Sequence, residues 1–181
     1  DIFGCTEPYS FSYNSNANIN NGDCDMIHVG QQAYGGIVFY VDESGTGGLV
    51  AALEDLGGFY VWGCFGTEII GAEATEIGSG YQNTIDIEAG CTTAGIAADI
   101  CANLTLGGYS DWFLPSKDEL NEMYLNKAAI GGLTTNAYRS SSEYDGNDAC
   151  SQNVGNGIQF YNAEHYDFFN VRAVRAFNSN N

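Results

Sequence analysis

Short apolar runs separated by Gly-rich turns dominate the chain from Gly35 onward. Ile37-Val38-Phe39-Tyr40-Val41 and Leu49-Val50-Ala51-Ala52-Leu53 flank a Gly-rich turn at Ser44 to Gly48, so they predict an antiparallel hairpin. Gly57-Gly58 should end it, and Phe59-Tyr60-Val61-Trp62 predicts another extended aromatic piece before Cys64. From Gly66 to Asn83 the periodicity is weak, which reads as loop with short turns. Between Asp86 and Leu104 the period changes. Ile87, Cys91, Ala94, Ala97, Ala98, Cys101 and Leu104 are placed to make the inner face of a helix, with Gly90 and Gly95 allowing one piece or two.

The clearest helix start is Ser116, a residue whose hydroxyl can accept from the backbone three residues on, while Glu119 can reach back to complete a capping box. Asp118, Glu119 and Glu122 sit where the helix dipole favours negative charge. Leu120, Met123, Tyr124 and Lys127 continue one stripe toward a stop at Gly131-Gly132, and Trp112 and Leu114 lead in as an extended segment. Tyr138-Arg139-Ser140-Ser141-Ser142-Glu143 and Val171-Arg172-Ala173-Val174-Arg175-Ala176-Phe177 read as strands. In the last, Val171, Ala173, Arg175 and Phe177 share a face. If that face is inner, Arg175 needs a buried carboxylate, for which Glu119 is a candidate; if it is outer, Arg175 is in solvent. These elements make an α+β chain.

The first 28 residues differ in kind and form a separate unit, 1–28, ahead of a main domain, 29–181. Cys5 and Cys24 bracket a loop rich in Asn, Ser and Asp with too few apolar residues to fold unaided, so a disulfide between them is expected. Inside it Tyr9, Phe11 and Tyr13 alternate with Ser10, Ser12 and Asn14, the period-two pattern of a strand with one aromatic face and no partner nearby. With Ile2 and Phe3 these aromatics are the candidate assembly residues. Asn18, Asn20, Asp23 and Asp25 offer the oxygen ligands that Ca2+ accepts, at a spacing unlike that of an EF-hand, and a polar turn is the alternative reading.

Composition narrows the function classes. With 181 residues and 44% hydrophobic content there is room for one substantial core. Five Lys and Arg against 23 Asp and Glu give a net charge of −18, which repels phosphate backbones and argues against nucleic acid as a partner. The six cysteines form no CxxC pair and no Cys/His zinc spacing, so disulfides and an oxidising, extracellular setting are expected. Cys91 with Cys101 and Cys64 with Cys150 is one of three connectivities open to the remaining four. No apolar run approaches the roughly 20 residues of a membrane helix. The chain opens at Asp1 without a signal peptide, which is expected of a secreted protein whose signal has been removed. Neither His28 nor His165 lies in a nucleophile motif, so no enzyme is expected. Tyr144 to Asn170 is the better candidate site. Tyr144, Asp145, Asn147, Asn153, Asn156, Gln159, Tyr161, Asn162, His165, Tyr166, Asp167 and Phe168 mix amide, hydroxyl and aromatic groups in the manner of adaptable recognition surfaces.

Three strings, WFLPSKDEL at Trp112 to Leu120, YRSSSEY at Tyr138 to Tyr144 and VRAVRAF at Val171 to Phe177, resemble the Lcl-type C-terminal domain, a bacterial and phage family of unknown biochemical function. GGIVFYVD, GLVAA and IGSGYQNT extend the resemblance over roughly Val29 to Phe177. It implies a fold similar to C-type lectins and the formylglycine-generating-enzyme group, with short antiparallel strands and two helical regions. Phe113 stands where many members have Arg. Cysteine-dependent oxidation is not expected, because Cys150 has no second cysteine nearby. The Tyr144 to Asn170 segment resembles the part varied by diversity-generating retroelements, and the Cys5 to Cys24 unit resembles cysteine-bracketed repeats of secreted bacterial surface proteins. Two functions are therefore expected in order: a self-assembling subunit of a surface filament or fibre, joined head to tail through its N-terminal segment; or a monomeric module whose Tyr144 to Phe169 stretch grips a cell-surface protein or glycan.

Overall fold

The structure is a computed structural model and describes residues 1–6, 14–22, 24, 26–163 and 169–179. At the N-terminus β1 (Phe3–Gly4) pairs in parallel with β2 (Ile19–Asn20), apart from every other strand described. The expected Cys5–Cys24 disulfide closes this unit. Tyr9, Phe11, Tyr13, Asp23 and Asp25 lie outside the described residues.

The predicted hairpin is present. β3 (Gln32–Ala33), β4 (Gly36–Val41) and β5 (Gly47–Ala51) are antiparallel neighbours. Val38 and Val50 pack into one apolar cluster with Trp112, Leu114 and Phe177, while Phe39, Leu49 and Ala51 pack into another with Leu120, Met123 and Val174. Burial on both faces explains why these strands read as continuous apolar runs rather than alternating ones. Gly48 is demanded by close approach, since a Cβ there would lie 2.0 Å from the Tyr40 carbonyl oxygen. Gly57 and Gly58, expected to end the hairpin, lie inside β6 (Leu56–Tyr60) instead, where an irregular pairing with the chain's penultimate strand tolerates them.

The helical region expected from Asp86 to Leu104 is two helices, α1 (Gly80–Gly90) and α2 (Ala97–Ala102), broken around Gly95 at φ 79°. The first begins at Gly80, inside the expected loop. Glu119 explains why: a Cβ at Gly80 would lie 2.2 Å from its Oε2, so the helix start is fixed by a tertiary contact and not by a local cap. The second disulfide is Cys64–Cys91, which corrects the pairing of Cys91 with Cys101 and of Cys64 with Cys150. Cys64 and Cys91 both adjoin the cluster around Trp62 and Ile87, whereas Cys101 faces the cluster around Val38 and Trp112. Cys101 and Cys150 are free and buried.

The capping box appears as read. Ser116 Oγ accepts from the Glu119 N–H and Glu119 Oε2 accepts from the Ser116 N–H at 2.7 Å, opening α3 (Lys117–Leu125). A short α4 (Lys127–Ile130) follows and stops at Gly131 and Gly132, both at positive φ. Glu119 is fully buried and also accepts from the Gly78 N–H at 2.8 Å, so it ties the loop before α1 to the start of α3. It does not pair with Arg175. That arginine is buried, as the inner-face alternative requires, but its guanidinium forks onto Asp111 with both contacts at 2.6 Å.

β7 (Ala137–Asp145) is central in a five-stranded sheet ordered β6, β10 (Phe169–Val171), β7, β8 (Asp148–Asn153), β9 (Gln159–Ala163). Its polar run is buried because it anchors the loop of residues 61–79. The Trp62 indole N–H donates to the Ser140 carbonyl at 2.9 Å, Ser142 Oγ donates to the Ala74 carbonyl at 2.7 Å, and the Glu143 carboxylate accepts from the Ile69 N–H at 2.9 Å. The terminal strand expected over Val171 to Phe177 divides. β10 stays in the large sheet, and β11 (Val174–Asn178) crosses to the smaller one beside β5. Arg172 sits at the crossing, fully buried, donating to Asp55 at 2.7 Å and to the carbonyls of Ala52 and Gly132 at 2.8 and 2.9 Å.

Candidate functional site

The described residues of the expected recognition surface lie on β7, β8 and β9 and in the turns between them, and they are not brought together in one place. Asp145 Oδ1 accepts from the Asn147 and Asp148 N–H groups and so builds the turn between β7 and β8. Asn153 Oδ1 accepts from the Asn156 N–H and Asn156 Oδ1 from the Ile158 N–H, building the turn between β8 and β9. These turns lie at opposite ends of β8, which is roughly 17–20 Å long for six residues. Gln159 donates through Nε2 to the Lys117 carbonyl at 3.3 Å and ties β9 to the start of α3. Asx turns of this kind account for the amide-rich composition without any ligand. The side chain of Asn162, and His165, Tyr166, Asp167 and Phe168 altogether, lie outside the description.

What remains is an aromatic pair. Tyr144 and Tyr161 stack with ring centroids 4.1 Å apart at 29° and are 58% and 50% exposed. Tyr161 stands opposite Cys150 of β8, and Tyr144 lies on the strand beyond, past a register shift in β7 that turns its ring across β8. Both are held on a hydrogen-bonded sheet whose central strand is buried, so the rings are presented on a rigid support. Glu143, next to Tyr144 in β7, is buried instead, and its carboxyl is raised above its ordinary value, first by burial and then by the like charges of Glu73, Glu68 and Asp145, against the pull of the Ile69 N–H. A half-exposed aromatic pair suits an apolar or cationic group on a partner.

The N-terminal unit is the other candidate. Among the described residues, none before Ile27 belongs to the three apolar clusters. Ile2 and Phe3 are 51% and 64% exposed. The unit is held by its disulfide and by local hydrogen bonds such as Ile2 N–H to Asn18 Oδ1 at 2.9 Å. Of the candidate calcium ligands, Asn18 and Asn20 each accept from a backbone N–H with the side-chain oxygen, the polar-turn alternative. Among the described residues no group of three or more His, Cys, Asp or Glu side chains is placed to hold a metal ion.

The free thiols offer no nucleophile at neutral pH. Burial pushes Cys150 up to about 11 and raises Cys101 as well, so both stay protonated. Unanticipated from the sequence is the convergence of Tyr34, Tyr109 and Asp111 on Arg175. The available signal was the demand of an inner-face arginine for a carboxylate, with Asp111 standing just before the extended segment that leads into α3. No helix among the described residues is long and apolar enough to cross a membrane. No family model matches the chain, and no curated protein is similar to it.

Proposed function

We propose that the chain is a C-type-lectin-like, extracellular subunit that assembles head to tail with copies of itself through the N-terminal unit. The observation that carries this reading is the exposure of Ile2 and Phe3 on a disulfide-closed unit from which, among the described residues, Ile27 alone, past the disulfide, joins an apolar cluster. Full burial of two such side chains at a neighbour contributes about 1.5–3 kcal/mol each. Residues 8–22 carry no charged side chain, so they approach a subunit of net charge −18 without local repulsion. A contact between two different surfaces of one molecule does not close on itself and therefore propagates. Two disulfides fit the oxidising setting that this reading requires. The resemblance to the Lcl-type domain is part of the same proposal. Negative-stain electron microscopy of the full chain and of a chain lacking residues 1–25 tests it: fibres from the first and dispersed particles from the second support it, and dispersed particles from both refute it.

A second reading rests on the stacked Tyr144–Tyr161 pair, which suits a monomeric receptor-binding module. Replacing both by Ala should abolish cell or partner binding while leaving assembly intact. Unchanged binding removes this reading alone.

A further inference from the structure

We propose that the cleft of about 170 Å3 between α1, α2 and the segment leading into α3 binds a short alkylammonium group, its hydrocarbon on the apolar walls and its charge on Glu88. Tyr81 and Ile85 of α1, Ala102 of α2, and Trp112 and Phe113 of the lead-in segment make those walls.

The walls are apolar because their polar groups are already used. Thr84 is buried, donates to the Gly80 carbonyl at 2.8 Å and accepts from the Leu114 N–H at 3.1 Å. The Trp112 indole N–H donates to the Leu106 carbonyl at 3.3 Å. Hydrocarbon and ring surface are what remain for a ligand. Tyr81 and Ile85 are four residues apart and so share a face of α1, yet they are 51% and 43% exposed. The helix buries Asn83, Thr84 and Ile87 and leaves this pair open. Tyr81 is nevertheless held in place, because its ring meets Phe113 edge-on with centroids 5.7 Å apart at 79°.

Charge then selects the head group. Asp111, the second carboxylate of the cleft, is forked by Arg175, so that pair is neutral. Glu88 forms no ion pair among the described residues. Asp99 of α2 stands beside it, and its carboxyl is raised above the ordinary value by burial first and by Asp99 second. Cys101, which feels the charge of Glu88, stays protonated. An ammonium at this place supplies the counter-charge that the two acids lack. The chain has little of its own to offer: Arg139, Arg172 and Arg175 are buried, Lys127 donates to the carbonyls of Val154 and Gly155, and Lys117 acts on Cys150. An anion is repelled by a chain of net charge −18. The volume lies below the roughly 300–1,000 Å3 usual for drug-sized ligands, which suits a short chain.

Ligand-observed NMR and calorimetry on the full oxidised chain test the assignment, with propylamine to hexylamine as probes and pentanol and pentanoate as controls of the same shape. Pentylamine should bind near pH 8 with a dissociation constant on the order of 1 mM, since few atoms are buried. Each added methylene should tighten binding roughly threefold to fourfold until the cleft is full. Pentanol and pentanoate should bind about threefold more weakly or worse. Glu88→Gln and Ile85→Ser, at exposed positions that the fold does not need, should each weaken pentylamine by roughly threefold to fivefold. The amine keeps its charge across this range and Glu88 does not, so affinity should fall as pH drops toward 4.5 in the parent and stay level in Glu88→Gln. Nα-acetyl-lysinamide separates the two sources of such a group: tighter binding than pentylamine supports the site as a holder of a partner's lysine, and weaker binding supports it as a holder of a free amine. The proposal is overturned if no amine binds, if pentanol binds as tightly as pentylamine, if Glu88→Gln keeps the affinity and pH dependence of the parent, or if calcium displaces pentylamine at lower concentration than butylamine does. None of these outcomes bears on assembly through residues 1–25.

Discussion

Arg172 is the point at which the C-terminal segment leaves one sheet for the other, and removing its counter-ion is the most informative perturbation of the fold. Its side chain has no solvent exposure, and that of Asp55 has 20%. Asp55→Ala would leave the guanidinium buried with two carbonyl partners, Ala52 and Gly132, and no negative charge. It would also deprive the Tyr138 hydroxyl of the acceptor it reaches at 2.7 Å. Breaking one side of a buried ion pair costs about 3–5 kcal/mol, and loss of the Tyr138 hydroxyl's acceptor adds about 1 kcal/mol at most, since Thr134 still contacts that hydroxyl. The two remaining carbonyl bonds and the partial exposure of Asp55 place the sum near the lower figure, about 3–4 kcal/mol. Against the roughly 5–15 kcal/mol that stabilises a whole domain, this is a large fraction. Urea unfolding with the disulfides intact should show a lowered midpoint at unchanged slope, and melting should fall by roughly 10 °C. Asp55→Asn, which keeps an acceptor and loses the charge, should lie between. A loss below about 0.5 kcal/mol for Asp55→Ala, the range of ordinary surface substitutions, would refute the assignment of Arg172 as the clamp of the sheet crossing.

Three further outcomes follow from the same packing. Burial raises the Glu119, Glu143 and Glu88 carboxyls above the ordinary value of 4.5, so the native state binds protons more readily than the unfolded one across the interval above that value. Stability from these groups is present below 4.5 and is lost as pH rises through their folded values. Asp111 and Asp42 are lowered by hydrogen bonds, from Arg175 and from Ser44, so their contribution is lost only as pH falls through values below 3.8. Melting temperature should therefore be higher near pH 5 than near pH 8, and a monotonic rise from pH 5 to pH 8 would contradict this. Peptide mapping without reduction should recover Cys64 joined to Cys91, with Cys101 and Cys150 labelled by maleimide only after denaturation; labelling of either in the native protein would contradict their burial. Ser116→Ala should cost about 0.5–2 kcal/mol in urea unfolding through loss of the cap, and a cost near zero would mean the capping box does not set the start of α3.

Features carried by neighbours in sequence were the legible ones. Ser116 and Glu119 are three residues apart and form their capping box as read; the hairpin around Ser44 to Gly48 and the Cys5–Cys24 disulfide are of the same kind. What escaped depends on contacts distant in sequence. The start of α1 at Gly80 answers to Glu119, and the division of the last strand answers to Arg172 and Asp55. Ser140, Ser141 and Ser142 look like a solvated strand and are buried because the loop of residues 61–79 hydrogen-bonds to Ser140 and Ser142, and Asn83 of α1 to Ser141. The candidate site shows the same limit. Asp145, Asn153 and Asn156 have recognition-type side chains, but their oxygens are occupied in building turns, and among the described candidate residues only Tyr144 and Tyr161 are brought together. Of the two faces open to Arg175 in the sequence the inner one is found, but its carboxylate is Asp111 and not Glu119, because the pairing of Phe113 with Val174, invisible in the sequence, decides between them.

Sedimentation velocity of the full oxidised chain over a range of concentrations at physiological salt, beside an Ile2→Ser, Phe3→Ser double variant, tests the central claim most directly. The parent should sediment as a concentration-dependent series of growing species, and the variant as one species of monomer mass. A parent that stays a monomer at every concentration, or a variant that assembles as readily as the parent, would contradict the claim that these first residues serve a neighbouring subunit.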